Sequence, residues 1–270
     1  MMDLRVAAAV CRSPLGSMAE NLERTRHWVL RAKAAGADLV CFPELNLSGY
    51  GRHPDMDSLA QPVPGPASHR MSELACATGL VILAGLVERN PAGKPFATHG
   101  VFQPDGQVLT YRKLHLAPPE KDLYAAGAQI PVFTFRQTCF GIQLCYDAHF
   151  PELTTRMVAL GAEVIFFPHA SPRGDARGKH LSWMRHLPAR SFDNSIFVLA
   201  CNQIGNNGMG LEFPGNAVAI DPSGHVLTQR LEKSEGLLLA DLRASDLADV
   251  RCHPMRHFFP NRRTDLYGES

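Results

Sequence analysis

Short apolar runs alternate along this chain with longer stretches whose apolar positions recur every three or four residues. The runs Leu4–Cys11, Val40–Phe42, Leu80–Val87, Gly100–Phe102, Val108–Tyr111, Phe133–Phe135 and Cys139–Cys145 read as strands. So do Val164–Phe167, Ile196–Cys201, Ala217–Ile220, His225–Gln229 and Leu237–Asp241. Helical spacing covers Ser17–Ala35, Ser68–Thr78, Glu152–Leu160 and Lys179–Asp193. Gly36, Gly79 and Gly161 stand where the first three should stop. Ser17 and Glu20 have the spacing of a capping box, and Pro188 should kink or shorten the last helix. Pro104-Asp105-Gly106 turns one pair of strands into a hairpin, and Asp221-Pro222-Ser223-Gly224 turns another.

Hairpins mixed with crossovers predict an α/β fold in which sheets pack on each other with helices outside. No repeat, low-complexity tract or linker-like shift in composition interrupts the chain, so residues 1–270 read as one domain. Residues 256–270 are polar, with Phe258, Phe259 and Tyr267 among them. They form a C-terminal extension that packs on a partner or docks on its own domain.

Composition narrows the function. A chain of 270 residues, 45% hydrophobic, can bury a large core. Its 27 Lys+Arg against 26 Asp+Glu give no pull towards nucleic acid or an anionic membrane. No apolar run approaches the ~20 residues of a spanning helix, and the N-terminal run lacks the basic flank of a signal peptide. The seven cysteines are dispersed and include no Cys-x-x-Cys pair, which fits a reducing, cytoplasmic setting. No His and carboxylate spacing suggests a metal site, and no phosphate loop or dinucleotide fingerprint is present, so no cofactor is expected.

Three apolar runs end in ionisable residues. Leu39 to Phe42 runs into Pro43-Glu44, Val108 to Tyr111 into Arg112-Lys113, and Phe140 to Leu144 into Cys145. In layered α/β folds sites collect at that edge. Pro151-Glu152 opens a helix beyond Cys145, so the thiol should sit at a strand-to-helix turn where a helix N-terminus favours the thiolate.

Phe42-Pro43-Glu44, Arg112-Lys113-Leu114-His115-Leu116 and Cys145-Tyr146-Asp147 together resemble the motifs of the nitrilase superfamily of carbon–nitrogen hydrolases. Ala189–Asn194, Asn202-Gln203, Asp221–Gly224 and Arg262–Tyr267 extend the resemblance over nearly the whole chain. It implies a four-layer α-β-β-α sandwich, commonly paired into a homodimer. It also implies that Cys145 attacks an amide carbonyl to give a thioester, Glu44 moves the protons, Lys113 meets the developing oxyanion, and Glu120 holds the lysine. The Tyr146 N–H is the expected second oxyanion donor. Tyr50, Tyr146, Phe150, His169 and Trp183 are candidate pocket walls. His115 is expected to hydrogen-bond behind the site, while His180 and His186 read as surface helix residues. His149 departs from the arginine that many relatives carry there. Arg173, Arg177 and Lys179 either steer an acidic substrate or solvate a loop.

Cys145-Tyr146-Asp147 resembles the amidase and N-carbamoyl-amine hydrolase branches more than the Cys-Trp-Glu of nitrile hydrolysers. The expected substrate is therefore a small amide or carbamoyl compound that releases ammonia. A nitrilase is the alternative within the superfamily, and a non-catalytic binding protein on the same fold is the alternative outside it. The acyltransferases of the superfamily usually carry membrane segments, which this sequence lacks.

Overall fold

The computed structural model describes residues 1–53 and 55–267. The last three residues of the expected 256–270 extension, and the Tyr267 side chain, lie outside them. The first half of the chain runs β1 (Leu4–Val10), α1 (Met18–Ala34), β2 (Leu39–Cys41), α2 (Met56–Leu59), α3 (Pro66–Thr78), β3 (Val81–Glu88), β4 (Phe96–Phe102) and β5 (Val108–Arg112). The second half runs β6 (Phe133–Phe135), β7 (Thr138–Ile142), α4 (Pro151–Ala159), β8 (Val164–His169), α5 (Ala176–Trp183), α6 (Leu187–Asn194) and β9 (Phe197–Asn202). It continues with β10 (Ile204–Asn206), β11 (Glu212–Pro214), β12 (Ala217–Ile220), β13 (Val226–Arg230), β14 (Gly236–Leu242), α7 (Ala244–Arg251) and α8 (Thr264–Tyr267).

Among the described residues the strands make two six-stranded sheets, β14-β1-β2-β3-β4-β5 and β13-β12-β9-β8-β7-β6, beside the small β10–β11 hairpin. In the first sheet β1, β2 and β3 are parallel, β14 and β4 flank them antiparallel, and β5 pairs antiparallel with β4 and so runs the same way as β1–β3. The second repeats the scheme, with parallel β7, β8 and β9 between antiparallel β6 and β12, and β13 paired antiparallel with β12.

The period-two alternation of a strand explains the layers. Leu4, Val6, Ala8 and Val10 of β1, with Leu39 and Cys41 of β2, point into one core shared with Phe140, Phe166 and Val198 of the second sheet. Ala7 and Ala9, with Val40 and Ile82, face the other way, onto Leu22 and Val29 of α1 and Met71 and Ala75 of α3. Helices α4 and α6 cover the second sheet with Leu153, Met157 and Leu187. Two sheets packed face to face with helices outside both form the α-β-β-α sandwich.

Several local expectations need correction. Ser17 does precede α1, but its hydroxyl makes no capping bond, and Glu20 pairs instead with Arg24 at 2.8 Å. The single helix expected over Lys179–Asp193 is two. Helix α5 starts earlier, where the Asp175 carboxylate accepts from the Gly178 N–H at 2.7 Å. Pro188 lies in the first turn of α6, where a missing N–H leaves no bond unmade. Strand β4 begins at Phe96, before the expected Gly100. Strand β7 stops at Ile142, short of Cys145, because the chain there turns into a 3-10 turn over Cys145–His149. In the tail, Phe258 packs on Phe192 of α6 with ring centroids 5.3 Å apart, and Phe259 packs against the shared core.

Candidate active site

Strand β2 delivers Glu44. Just beyond it Leu45 adopts a left-handed backbone (φ 52°), and Gly85 of β3 packs against it so closely that a Cβ there would lie 2.5 Å from the Leu45 nitrogen. The buried Asn46 side chain fixes the turn: its Oδ1 accepts from the Gly85 N–H at 2.8 Å and its Nδ2 donates to Thr25 Oγ1 at 3.0 Å. Gln203 Nε2, past the end of β9, donates to the Glu44 carbonyl at 2.8 Å.

Lys113 follows β5 and is fully buried. Its Nζ donates to Glu44 Oε1 at 2.7 Å and to Glu120 Oε1 at 2.8 Å, so two carboxylates flank one ammonium. The other oxygens are occupied as well. Ala170 N–H, at the end of β8, donates to Glu44 Oε2 at 3.1 Å; Ala117 N–H donates to Glu120 Oε2 at 2.8 Å, and Tyr50 Oη to Glu120 Oε1 at 3.0 Å. A buried charge survives only when paired and hydrogen-bonded, and this set meets that condition.

Cys145 sits at the elbow after β7 with φ 45°, a conformation that costs a non-glycine residue energy and lifts its side chain off the strand line. Asp147, fully buried, holds the elbow. Its carboxylate accepts from the Leu144 N–H (3.0 Å), Tyr111 Oη (2.7 Å) and the His115 N–H (2.8 Å), and lies 2.8 Å from His115 Nδ1. Tyr111 and His115 bracket Lys113, so Asp147 ties the cysteine elbow to the lysine segment. His115 also stacks on Phe150, ring centroids 3.8 Å apart.

A cavity of about 220 Å³ opens above the thiol, with Tyr50, Glu120, Tyr146, His169, Lys179 and Trp183 among its walls. Phe150 is outside this lining, behind the wall on His115. His186 was expected on the surface but is half-buried and lines the cavity, as does the departing residue His149; their rings lie 4.9 Å apart. Of the basic cluster, Lys179 lines the cavity and donates to Ser171 Oγ at 2.9 Å, whereas Arg177 is exposed. Three contributors were not assigned roles in the site: the Ala170 N–H, Asp147 and the Gln203 side chain. Asp147 and Gln203 each carried a signal, in the Cys145-Tyr146-Asp147 and Asn202-Gln203 matches, and Lys179 stood only as one of two readings of the basic cluster.

Burial pushes the Glu44 carboxyl up to about 7; Lys113 opposes the rise and Glu120 adds to it. Burial also pushes the Cys145 thiol up to about 12, with Glu44 adding and Lys113 and the Ala170 N–H opposing. The expected lowering of the thiol by a helix N-terminus is thus outweighed. Burial works against the charge on Lys113, but Glu44, Cys145 and Glu120 together hold its pKa well above the ordinary value. Burial depresses His169 well below its usual range, then His186 and Lys113 add to the effect, so the ring facing the cavity is neutral.

The Cys145 thiol and Glu120 line a small cavity, and Lys113, outside that lining, ties Glu120 to Glu44, a hydrolase-type arrangement on an α-β-β-α sandwich. The chain belongs to the carbon-nitrogen hydrolase family, whose profile matches residues 5–252. It is 31% identical over 255 residues to the 2-oxoglutaramate amidase of Bacillus subtilis (strain 168), covering 93% of this chain and 95% of the relative. To an (R)-stereoselective amidase of Pseudomonas sp it is 29% identical over 214 residues, 78% of this chain and 75% of the relative. Among solved structures it resembles a mutant of the amidase from Nesterenkonia sp. AN1 with the acetamide moiety of fluoroacetamide added covalently at its active site cysteine. That match has a TM-score of 0.81 and 26% identity over 98% of this chain and 95% of the other.

Proposed function

We propose that this amide hydrolase works through a Cys145 thioester, with Glu44 as the proton shuttle. The observation that carries the reading is Lys113, which bridges Glu44 and Glu120 beside the thiol. With Cys145 high and Glu44 near neutrality, the resting proton stays on sulfur and the carboxylate is free to take it. The proton moves as sulfur attacks the carbonyl, because attack removes the anion that burial disfavours. The oxyanion forms against Lys113 and the Tyr146 N–H. Glu44 then protonates the departing nitrogen, ammonia leaves, and the carboxylate activates the water that cleaves the thioester.

The relatives support a small primary amide as substrate, and the 220 Å³ cavity suits one. A carbamoyl group fits the same steps. Exposed Leu160, Leu181 and Phe192 beside α4, α5 and α6 support pairing of copies through these helices, which light scattering tests. Among the described residues no helix is long and apolar enough to cross a membrane.

The decisive experiment is to mix enzyme with a slow amide and quench it for mass spectrometry. An acyl adduct is expected on Cys145 and absent from the Cys145→Ala variant. An adduct on any other cysteine would sink the reading.

A further inference from the structure

Beside the reaction cavity lies a second, larger one of about 400 Å³, and the two share Tyr50 and Pro172 as a common wall. Four segments enclose it. Tyr50–Arg52 follows the Glu44 turn, Pro119, Leu123 and Tyr124 lie in the segment of Glu120, Pro172-Arg173 follows β8, and Leu211 leads into β11. Hydrogen bonds hold the segments together. Buried Asn207 donates from Nδ2 to the Tyr50 carbonyl at 2.9 Å, and its Oδ1 accepts from the Leu211 N–H at 3.0 Å. The Arg173 N–H donates to the Glu212 carbonyl at 2.9 Å. Gly51 lets the Tyr50 segment meet Asn207: a Cβ there would lie 2.9 Å from Asn207 Nδ2.

The lining is divided in character. Leu123, Leu211, Pro119 and the ring of Tyr124 give an apolar body, while Arg52 and Arg173 bring two exposed guanidinium groups from different segments. Neither guanidinium has a hydrogen-bond or ion-pair partner among the described residues. Tyr124 is buried, and its Oη has no partner either. Across both cavities the one carboxylate in the lining is Glu120, already engaged by Lys113, Tyr50 and the Ala117 N–H. Of the nearby acids, Asp175 caps α5, and Asp122 and Glu212 are exposed and outside both linings.

We propose that the outer chamber receives the far end of an extended substrate: an acyl chain with an apolar midsection that ends in an anionic group, such as a carboxylate, between Arg52 and Arg173. The proposal rests on the amidase reading, since it places the amide of that substrate at Cys145. The substrate class is then the monoamide of a long dicarboxylic acid, longer than the short amides that fill the inner cavity alone.

Binding can be read apart from turnover. The Cys145→Ala protein is titrated calorimetrically with three probes: the four-carbon monoamide succinamate, the eight-carbon monoamide suberamate, and neutral octanamide. Suberamate is expected to bind at least about 10-fold tighter than succinamate, from its four further buried methylenes, and several-fold tighter than octanamide, from the paired carboxylate. In the Arg52→Ala/Arg173→Ala pair, made in the same background, suberamate should fall to the affinity of octanamide. The proposal is overturned if succinamate or octanamide binds as tightly as suberamate, if none of the three binds, or if the double variant keeps the carboxylate's advantage. Hydrolysis of a short amide by the unmodified enzyme tests the amidase reading separately.

Discussion

If Glu44 is the proton shuttle proposed above, its raised pKa governs the pH response. Its carboxyl titrates near 7 because burial opposes the anion more than Lys113 supports it. A protonated Glu44 cannot take the thiol proton, so kcat/KM should fall as pH drops through about 7 and hold above it, until Lys113 or the thiol titrates. Glu120 raises Glu44 further by like-charge repulsion. Glu120→Gln should therefore shift the acid limb to lower pH while lowering the rate, and a limb that stays put or moves up would contradict this. Glu44→Gln should cost roughly 100- to 10,000-fold in turnover, the usual weight of a lost proton shuttle, with thermal stability measured alongside to exclude unfolding.

At the scale of elements, the site depends on contacts that hold strand ends in register. Asp147 joins the cysteine elbow to the segment after β5. Asp147→Asn keeps the shape but turns one acceptor into a donor facing donors, which should cost about 1–3 kcal/mol of stability and lower kcat more than it raises KM. Differential scanning calorimetry and steady-state kinetics check the two halves. Gly85→Ala pushes a Cβ at the Leu45 backbone next to Glu44 and should lose stability and activity together. These elements also mark what could be read in the sequence. Glu44, Lys113 and Cys145 were legible as candidates because each apolar run stops at an ionisable residue, although β7 ends at Ile142, before the cysteine. The elbow was not, since a positive φ at a cysteine leaves no compositional trace and the run continues apolar through Leu144. Nor was Ala170, because a backbone N–H has no side-chain signature, and Lys179 read equally as a substrate-steering charge or a solvated one. His186 reads as a surface residue from helical spacing until the break between α5 and α6 turns it inward.

For the whole molecule, the decisive feature is direction. Strands β2, β5, β7, β8 and β9 all end at the site, supplying Glu44, Lys113, Cys145, Ala170 and Gln203. Two stacked sheets thus aim the C-terminal edges of their parallel strands at one point, where α/β folds gather chemistry. Among the described residues no three His, Cys, Asp or Glu side chains converge as metal ligands, and the proposed steps are complete without a metal. Prolonged chelation should leave the rate unchanged; loss that a divalent ion restores would refute this. The same assembly bears on the choice of substrate. An amide gives a tetrahedral oxyanion that needs donors from the first step, the proposed part of Lys113 and a backbone N–H, with Glu44 then proposed to protonate the nitrogen. A nitrile develops its charge on nitrogen instead, so the acid must face that nitrogen at the outset. Glu44 is hydrogen-bonded to Lys113 and the Ala170 N–H, and in the proposed mechanism it receives the thiol proton first. An amide should therefore outrun the nitrile of the same side chain. Matched pairs compared by kcat/KM decide it, and a nitrile preferred by ~10-fold, about 1.4 kcal/mol in the transition state, would move the enzyme to the nitrile-hydrolysing branch.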